Sequence, residues 1–281
     1  MADLLSLEVD DTSFIKLPNG TTSQRPVTPN SGEMRFNTNF NTVENYDGSQ
    51  WRYLPDLVRD GLVLHLDAGE PSSYSGTGTT INDLSSTVSS STLNNGSYSS
   101  SEGGYFNTDG VSDYISTPRI PNTGTSTSSL SFTLWVKPND TAGNILSMSE
   151  SNPVGSWNMP PITAENSKFT GKIWQNSRLS SNSTYTNGVW YYVALIWDYR
   201  SNDGNGTQSL YVNGELQDSQ SGITYSSSGV NNYLYFGQSN PGADDQGYFG
   251  GSYGPMLIYN KALKPIEVIQ NFKAIRGRYG V

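Results

Sequence analysis

Few residues in this chain are of the types that carry catalysis, and their spacing is poor for it. The only histidine, His65, lies in the Leu-rich stretch GLVLHLDAG beside Asp67. A serine hydrolase needs an imidazole that reaches a nucleophile on a sharp turn. We read no such elbow here and take His65 as a structural or surface residue. Glycoside hydrolysis needs two facing carboxylates, and the expected strands carry few acids. There is no cysteine, which excludes disulfides and thiolate metal sites. Sugar contact is better supplied. Aromatic faces stack on sugar rings and amides bond hydroxyls. Trp157, Tyr225, Tyr248 and Tyr253, with Asn158 and Asn240, are the loop residues able to do this. Each of them alone also fits plain rim packing.

The charge balance narrows the partners. Lys plus Arg is 16 and Asp plus Glu 25, a net charge of −9. Such acidity argues against nucleic acid and anionic membrane as partners. The basic residues Lys261, Lys264, Lys273, Arg276 and Arg278 gather at the C-terminal end. They suit a docking surface, or compensation of a helix C-terminus. The start, MADLLSLEVDD, lacks the basic region and apolar core of a secretory signal. Asn-x-Ser/Thr sequons at Asn19, Asn95, Asn139, Asn182 and Asn205 are therefore expected to be unused.

The elements that must position these residues read as short strands. In GVWYYVALIWDY (Gly188 to Tyr199) the apolar run is too short to span a membrane. Side chains alternate faces along a strand. Trp190, Tyr192, Ala194 and Ile196 share one face, and Tyr191, Val193, Leu195 and Trp197 the other. Both faces are apolar, so either both are covered or one floors an aromatic groove. Asn213-Gly214 then closes a type I′ hairpin between Thr207–Val212 and Glu215–Asp218. Leu130–Pro138, Asn144–Met148, Lys168–Gln175, Asn232–Gln238 and Pro255–Tyr259 read as further strands. Pro71 to Ser101 reads as a long surface loop, and GSWNMPP (Gly155 to Pro161) as a loop carrying an aromatic. Pro265 opens a helix with Ile266, Ile269 and Phe272 on one face, and Gly277 is its expected stop.

Residues 1–55 form a separate unit. Three short strands, Glu33–Asn37, Val43–Tyr46 and Gln50–Leu54, cannot bury much alone. Pro18, Pro26 and Pro29 keep the chain before them irregular. We expect an arm that borrows its core from a neighbour, through Met34, Arg35, Phe36, Tyr46 and Trp51. The alternative is a small hairpin sheet packed on the chain's own main domain. The residues Gly32, Met34, Arg35, Phe36, Asn37, Thr38, Glu44, Tyr46, Asp47, Gly48 and Trp51 resemble the short β-hairpin modules of tailed-phage fibres. That resemblance implies attachment to a virion or trimerisation.

Residues 56–281 read as an all-β, two-sheet sandwich with a short C-terminal helix. The order Gly61-Leu-Val, FNTDGVSDYI (Phe106 to Ile115), SFTLWVKP (Ser131 to Pro138), GVWYYVALIWD, SLYVNGE and FGGSYGPMLIYNKAL (Phe249 to Leu263) resembles the laminin-G-like jelly rolls of the concanavalin A-like family. Glucanases of that family use a Glu-x-Asp-x-x-Glu strand motif, which this chain lacks, so no enzyme is expected. The family resemblance also implies a rim calcium, for which Asp67, Asp83, Asp109, Asp113, Asp244 and Asp245 are the weak candidates, with hard oxygen chemistry. Against it, Ser252 to Pro255 stand where the family often places an acid. Together the two resemblances, the second including the ending Asn271 to Gly280, imply a phage virion structural protein of the capsid-decoration, head-fibre or tail-fibre type. It would be anchored by its N-terminal arm, and its partners would be virion proteins, copies of itself in a homo-trimer, and host-surface glycans. It would be made in the host cytoplasm and released by lysis. A soluble carbohydrate-binding lectin is the alternative reading, and a glycoside hydrolase a third.

Overall fold

The computed structural model describes residues 16–121, 123, 128–150, 158–173, 176–199, 205–224, 232–238 and 247–281. Two eight-stranded antiparallel sheets face each other, and a separate four-stranded sheet stands at the N-terminal end. One sheet of the sandwich is centred on Leu130–Pro138, which pairs with Tyr191–Tyr199 on one side and Gly250–Tyr259 on the other. The facing sheet is centred on Gly143–Ser149 and Tyr233–Phe236, which pair with each other.

The strand Tyr191–Tyr199 is buried on both faces, as its composition requires. Val193, Leu195 and Trp197 enter the core between the sheets, with Phe132, Leu134, Phe236 and Met256. Trp190, Tyr192, Ala194 and Ile196 enter a second core with Trp135, Leu257 and Tyr259. The helix Pro265–Tyr279 covers this second face, so no aromatic groove is open there. Phe272 stacks on Trp135 at 5.7 Å and Tyr279 on Trp190 at 4.1 Å between ring centroids. Each buried side chain of this size contributes roughly 1.5–3 kcal/mol.

Local signals hold where turn chemistry is explicit. Asn213 and Gly214 have φ of 51° and 81°, the two positive values that a type I′ turn demands. Three expectations need correction. Pro71 to Ser101 contains the strands Thr80–Ile81, Ser91–Asn94 and Ser97–Ser99. Ile81 and Leu93, isolated among polar residues, anchor two of them in the core. The strand Asn158–Glu165 starts inside the segment read as a loop and carries Pro160 and Pro161. The helix does not stop at Gly277 but runs to Tyr279, and Gly280 caps it in the left-handed region at φ 69°.

The N-terminal unit is the largest correction. Its strands Met34–Asn37, Thr42–Tyr46 and Trp51–Leu54 are where the sequence puts them. The prolines do not keep it away from the sandwich. Asn19–Gly20 adds a short parallel strand, and the sheet packs on its own sandwich and helix. Phe40 is 2% exposed, stacks edge-on against Tyr53 at 5.0 Å, and lies 4.8 Å under the Arg278 guanidinium. The helix can approach because position 277 has no side chain: a Cβ there would stand 2.6 Å from the Asn41 carbonyl.

Candidate binding site

The seam between the small sheet and the sandwich holds a buried polar network. Alternation along the small sheet decides which residues reach it. Arg35, Asn37, Glu44 and Tyr53 are buried on the inner face. Arg35 pairs with Glu44 across the ladder, and Glu44 with Tyr53. Tyr46 and Trp51 share that face, half-buried, with rings 5.6 Å apart. Met34 and Phe36 lie on the opposite, outer face beside Val43 and Leu54. The five expected attachment residues are thus split between two faces.

Arg25 bridges the two units. It donates from Nη2 to Glu44 Oε2 at 2.6 Å, within the small sheet, and from Nη1 to Glu70 Oε2 at 2.9 Å, on the sandwich. Tyr53 donates its hydroxyl to Glu70 Oε1 in a very short hydrogen bond. Burial raises the Glu70 pKa above the usual carboxylate value, against the opposing pull of Arg25. Burial also raises the Tyr53 hydroxyl, which stays a protonated donor. On the helix side, Arg278 donates to Asp67 at 2.7 Å and to the carbonyls of Glu102 and Gly104.

Against this seam lies a pocket of about 90 Å³, lined by Arg25, Gln50, Trp51, Tyr53, Arg59, His65, Glu70, Ser72 and Leu84. His65 is 3% exposed, and neither of its ring nitrogens has a hydrogen-bond partner. Arg59 pairs with Asp56 through Nη2 at 2.9 Å, but its Nε is buried and unpartnered. Burial pushes the imidazole pKa down to about 4, so the ring is neutral near pH 7. A larger open groove of about 240 Å³ shares Trp51 and adds Pro18, Asn19, Gln24, Pro26, Glu33, Met34 and Arg35. Sequence reasoning missed this site, because its residues come from four separated segments. The one signal was a lone histidine on the strand face opposite Leu64 and Leu66.

The other expected site residues that the structure describes do not converge. Trp157, Tyr225, Asn240, Asp244 and Asp245 lie outside the described residues. Asn158 opens a strand. Tyr248 is half-buried and accepts a hydrogen bond from Gln238 at 2.9 Å. Tyr253 is not on a rim: it is fully buried in the core, with its hydroxyl on the Ile145 carbonyl, because the strand Gly250–Tyr259 begins earlier than its apolar stretch indicates. Three of the described calcium candidates accept hydrogen bonds from the protein itself. Asp67 pairs with Arg278. Asp83 accepts the backbone N–H groups of His65, Ser85, Thr87 and Val88. Asp109 accepts those of Val111, Ser112 and Asp113, bonds that hold its pKa below the usual value. Among the described residues, no three acidic or histidine side chains are grouped to hold a metal ion.

The Gly-x-Ser-x-Gly spacing does occur, at Gly250–Gly254, and the sequence reading overlooked it. It is no nucleophile elbow. It lies inside a strand, and Ser252 is 2% exposed and hydrogen-bonds to Asn107 Oδ1 at 2.8 Å.

Residues 109–269, more than half of the chain, match the Laminin_G_3 model of concanavalin A-like lectins and glucanases. The chain belongs to the concanavalin A-like lectin/glucanase superfamily. Among solved structures of this sandwich is domain 4 of AbnA, a GH43 extracellular arabinanase from Geobacillus stearothermophilus, in complex with arabinotriose. It is 16% identical with a TM-score of 0.50, over 75% of this chain and 97% of that one. A Trypanosoma rangeli sialidase mutant displaying trans-sialidase activity is 15% identical with a TM-score of 0.55, over 79% of this chain and 34% of that one. The superfamily sandwich here thus spans about a third of the sialidase chain. At such identities the likeness is one of fold. No curated protein sequence matches the chain.

Proposed function

We propose that this protein is a structural component of a tailed-phage virion whose laminin-G-like sandwich is a non-catalytic glycan-binding module on the particle surface. The phage-fibre resemblance of Gly32 to Trp51 supports the virion role. The observation that carries attachment is the outer face of the small sheet. Met34 and Leu54 are 44% and 43% exposed there, flanking the half-buried Phe36 and Val43. Apolar side chains grouped in this way on a sheet face fit docking on a virion partner or on copies of the same chain. Glycan binding is supported by superfamily membership and by the arabinotriose-bound neighbour of the same fold. No resident metal enters the reading.

The test is solution mass by light scattering after size exclusion, on the full chain and on a Met34→Asp, Leu54→Asp double variant. A trimer that becomes a monomer in the variant supports self-assembly through this face. A monomer in both discards self-assembly and leaves either a larger virion partner or a free lectin. Co-sedimentation with phage particles then decides between those two.

A further inference from the structure

The seam pocket carries buried hydrogen-bonding groups that no protein atom satisfies, and their pattern restricts what can fill it. Buried polar groups without partners are costly, so such groups favour a ligand that satisfies them. The neutral His65 ring offers one N–H donor and one bare acceptor nitrogen. Arg59 Nε offers a further donor. A carboxylate or phosphate only accepts, so it would leave the imidazole acceptor unmet. It would also face Glu70. Nor is there cationic charge to spare: Arg25 is matched by Glu44 and Glu70, and Arg59 by Asp56. A hydroxyl both donates and accepts. A hydroxyl is therefore the group whose chemistry suits a lining with both an imidazole acceptor and N–H donors.

Size and shape agree with this. A cavity needs about 10–15 Å³ to hold one water, so about 90 Å³ admits several waters or the hydroxyl-bearing edge of a sugar ring. Trp51 lines both this pocket and the larger groove. Its half-buried indole lies between the small polar pocket and the larger open groove. We propose that the seam pocket binds the hydroxyl edge of one neutral sugar residue, and that the rest of the glycan runs past Trp51 into the groove of Asn19, Gln24 and Glu33. The site is built from both units, so the small sheet completes a binding site that the sandwich lacks alone. This inference rests on the glycan-binding reading and names its site and ligand class.

The experiment is a printed array of neutral and sialylated oligosaccharides, followed by isothermal titration of the tightest neutral trisaccharide. The proteins are the full chain and the variants Gln50→Ala, Trp51→Ala and His65→Phe. Neutral glycans are expected to bind, with affinity falling at least tenfold in each variant while the melting temperature of Gln50→Ala is unchanged. Gln50 is exposed, so that variant tests the site even if His65→Phe fails to fold. Binding that survives Gln50→Ala and Trp51→Ala overturns the pocket and leaves the glycan reading standing elsewhere on the sandwich. Binding confined to sialylated glycans overturns the neutral ligand class. An array with no binding overturns both readings together.

Discussion

His65 holds its imidazole where water scarcely reaches, and this has a pH signature. Burial is the main cause of its pKa falling from 6.5 to about 4, with Arg59 adding to the shift and Asp67, Asp83 and Asp56 opposing it. The unfolded chain takes up a proton below pH 6.5 that the folded chain refuses until about pH 4. The stability tied to the neutral ring is therefore complete above pH 6.5 and is lost as pH falls through that window. At 1.36 kcal/mol per pKa unit the loss is about 3 kcal/mol. His65→Gln is expected to flatten urea stability between pH 6.5 and 4, and an unchanged slope would place the acid sensitivity elsewhere. Arg278 makes a second residue-scale case. Its ion pair with Asp67 has side-chain exposures of 1% and 0%. Removing one partner of such a pair leaves a buried charge, at a cost of about 3–5 kcal/mol. Arg278→Ala should lower the unfolding free energy from urea denaturation by that amount. A loss below about 1 kcal/mol would mean that water reaches Asp67 in the variant.

The C-terminal helix joins three parts of the molecule. Its Asn271 accepts the Val58 N–H at 2.9 Å and donates to the Tyr259 hydroxyl at 2.9 Å, tying the stretch after the small sheet to the strand Gly250–Tyr259. Its last turn meets the small sheet at Gly277. Alanine is the better helix former by about 1 kcal/mol, so propensity alone predicts that Gly277→Ala stabilises. The Asn41 carbonyl 2.6 Å from the added Cβ predicts the reverse. Hydrogen exchange should show faster opening of Met34–Leu54 in this variant, with Leu130–Pro138 still protected. Unchanged protection would show that the loop at Asn41 yields at little cost. From sequence, Gly277 reads as a stop because glycine is common just past helix ends. Only the neighbouring loop shows why it sits inside the helix instead.

At the scale of the whole molecule, the small sheet and the sandwich share a buried ionic seam. Deleting residues 1–55 would strip Arg25 and Tyr53 from Glu70 and uncover the helix beside Phe40. Truncation therefore confounds assembly with stability, and the outward Met34 and Leu54 are the cleaner probes. The outer sheet face is expected to govern assembly and the seam to govern ligand binding, so Leu54→Asp alone, which touches neither the pocket nor the groove, should keep full glycan affinity. A parallel loss would mean that the site is completed by a second copy.

The sequence by itself determined the all-β class, the doubly buried strand at Tyr191–Tyr199, the type I′ turn at Asn213-Gly214 and the three hairpin strands before residue 55. Each rests on local rules of alternation or backbone conformation that neighbouring residues alone satisfy. The short strands at Ile81 and Leu93 escaped it, since one apolar residue among serines has no period. The docking of the N-terminal sheet, the burial of Tyr253 and the polar pocket around His65 were decided only by tertiary structure. They depend on pairings such as Arg25 with Glu70 and Asp67 with Arg278. Long-range ion pairs leave no periodic trace in a chain, because any arginine can meet any carboxylate until the fold has chosen.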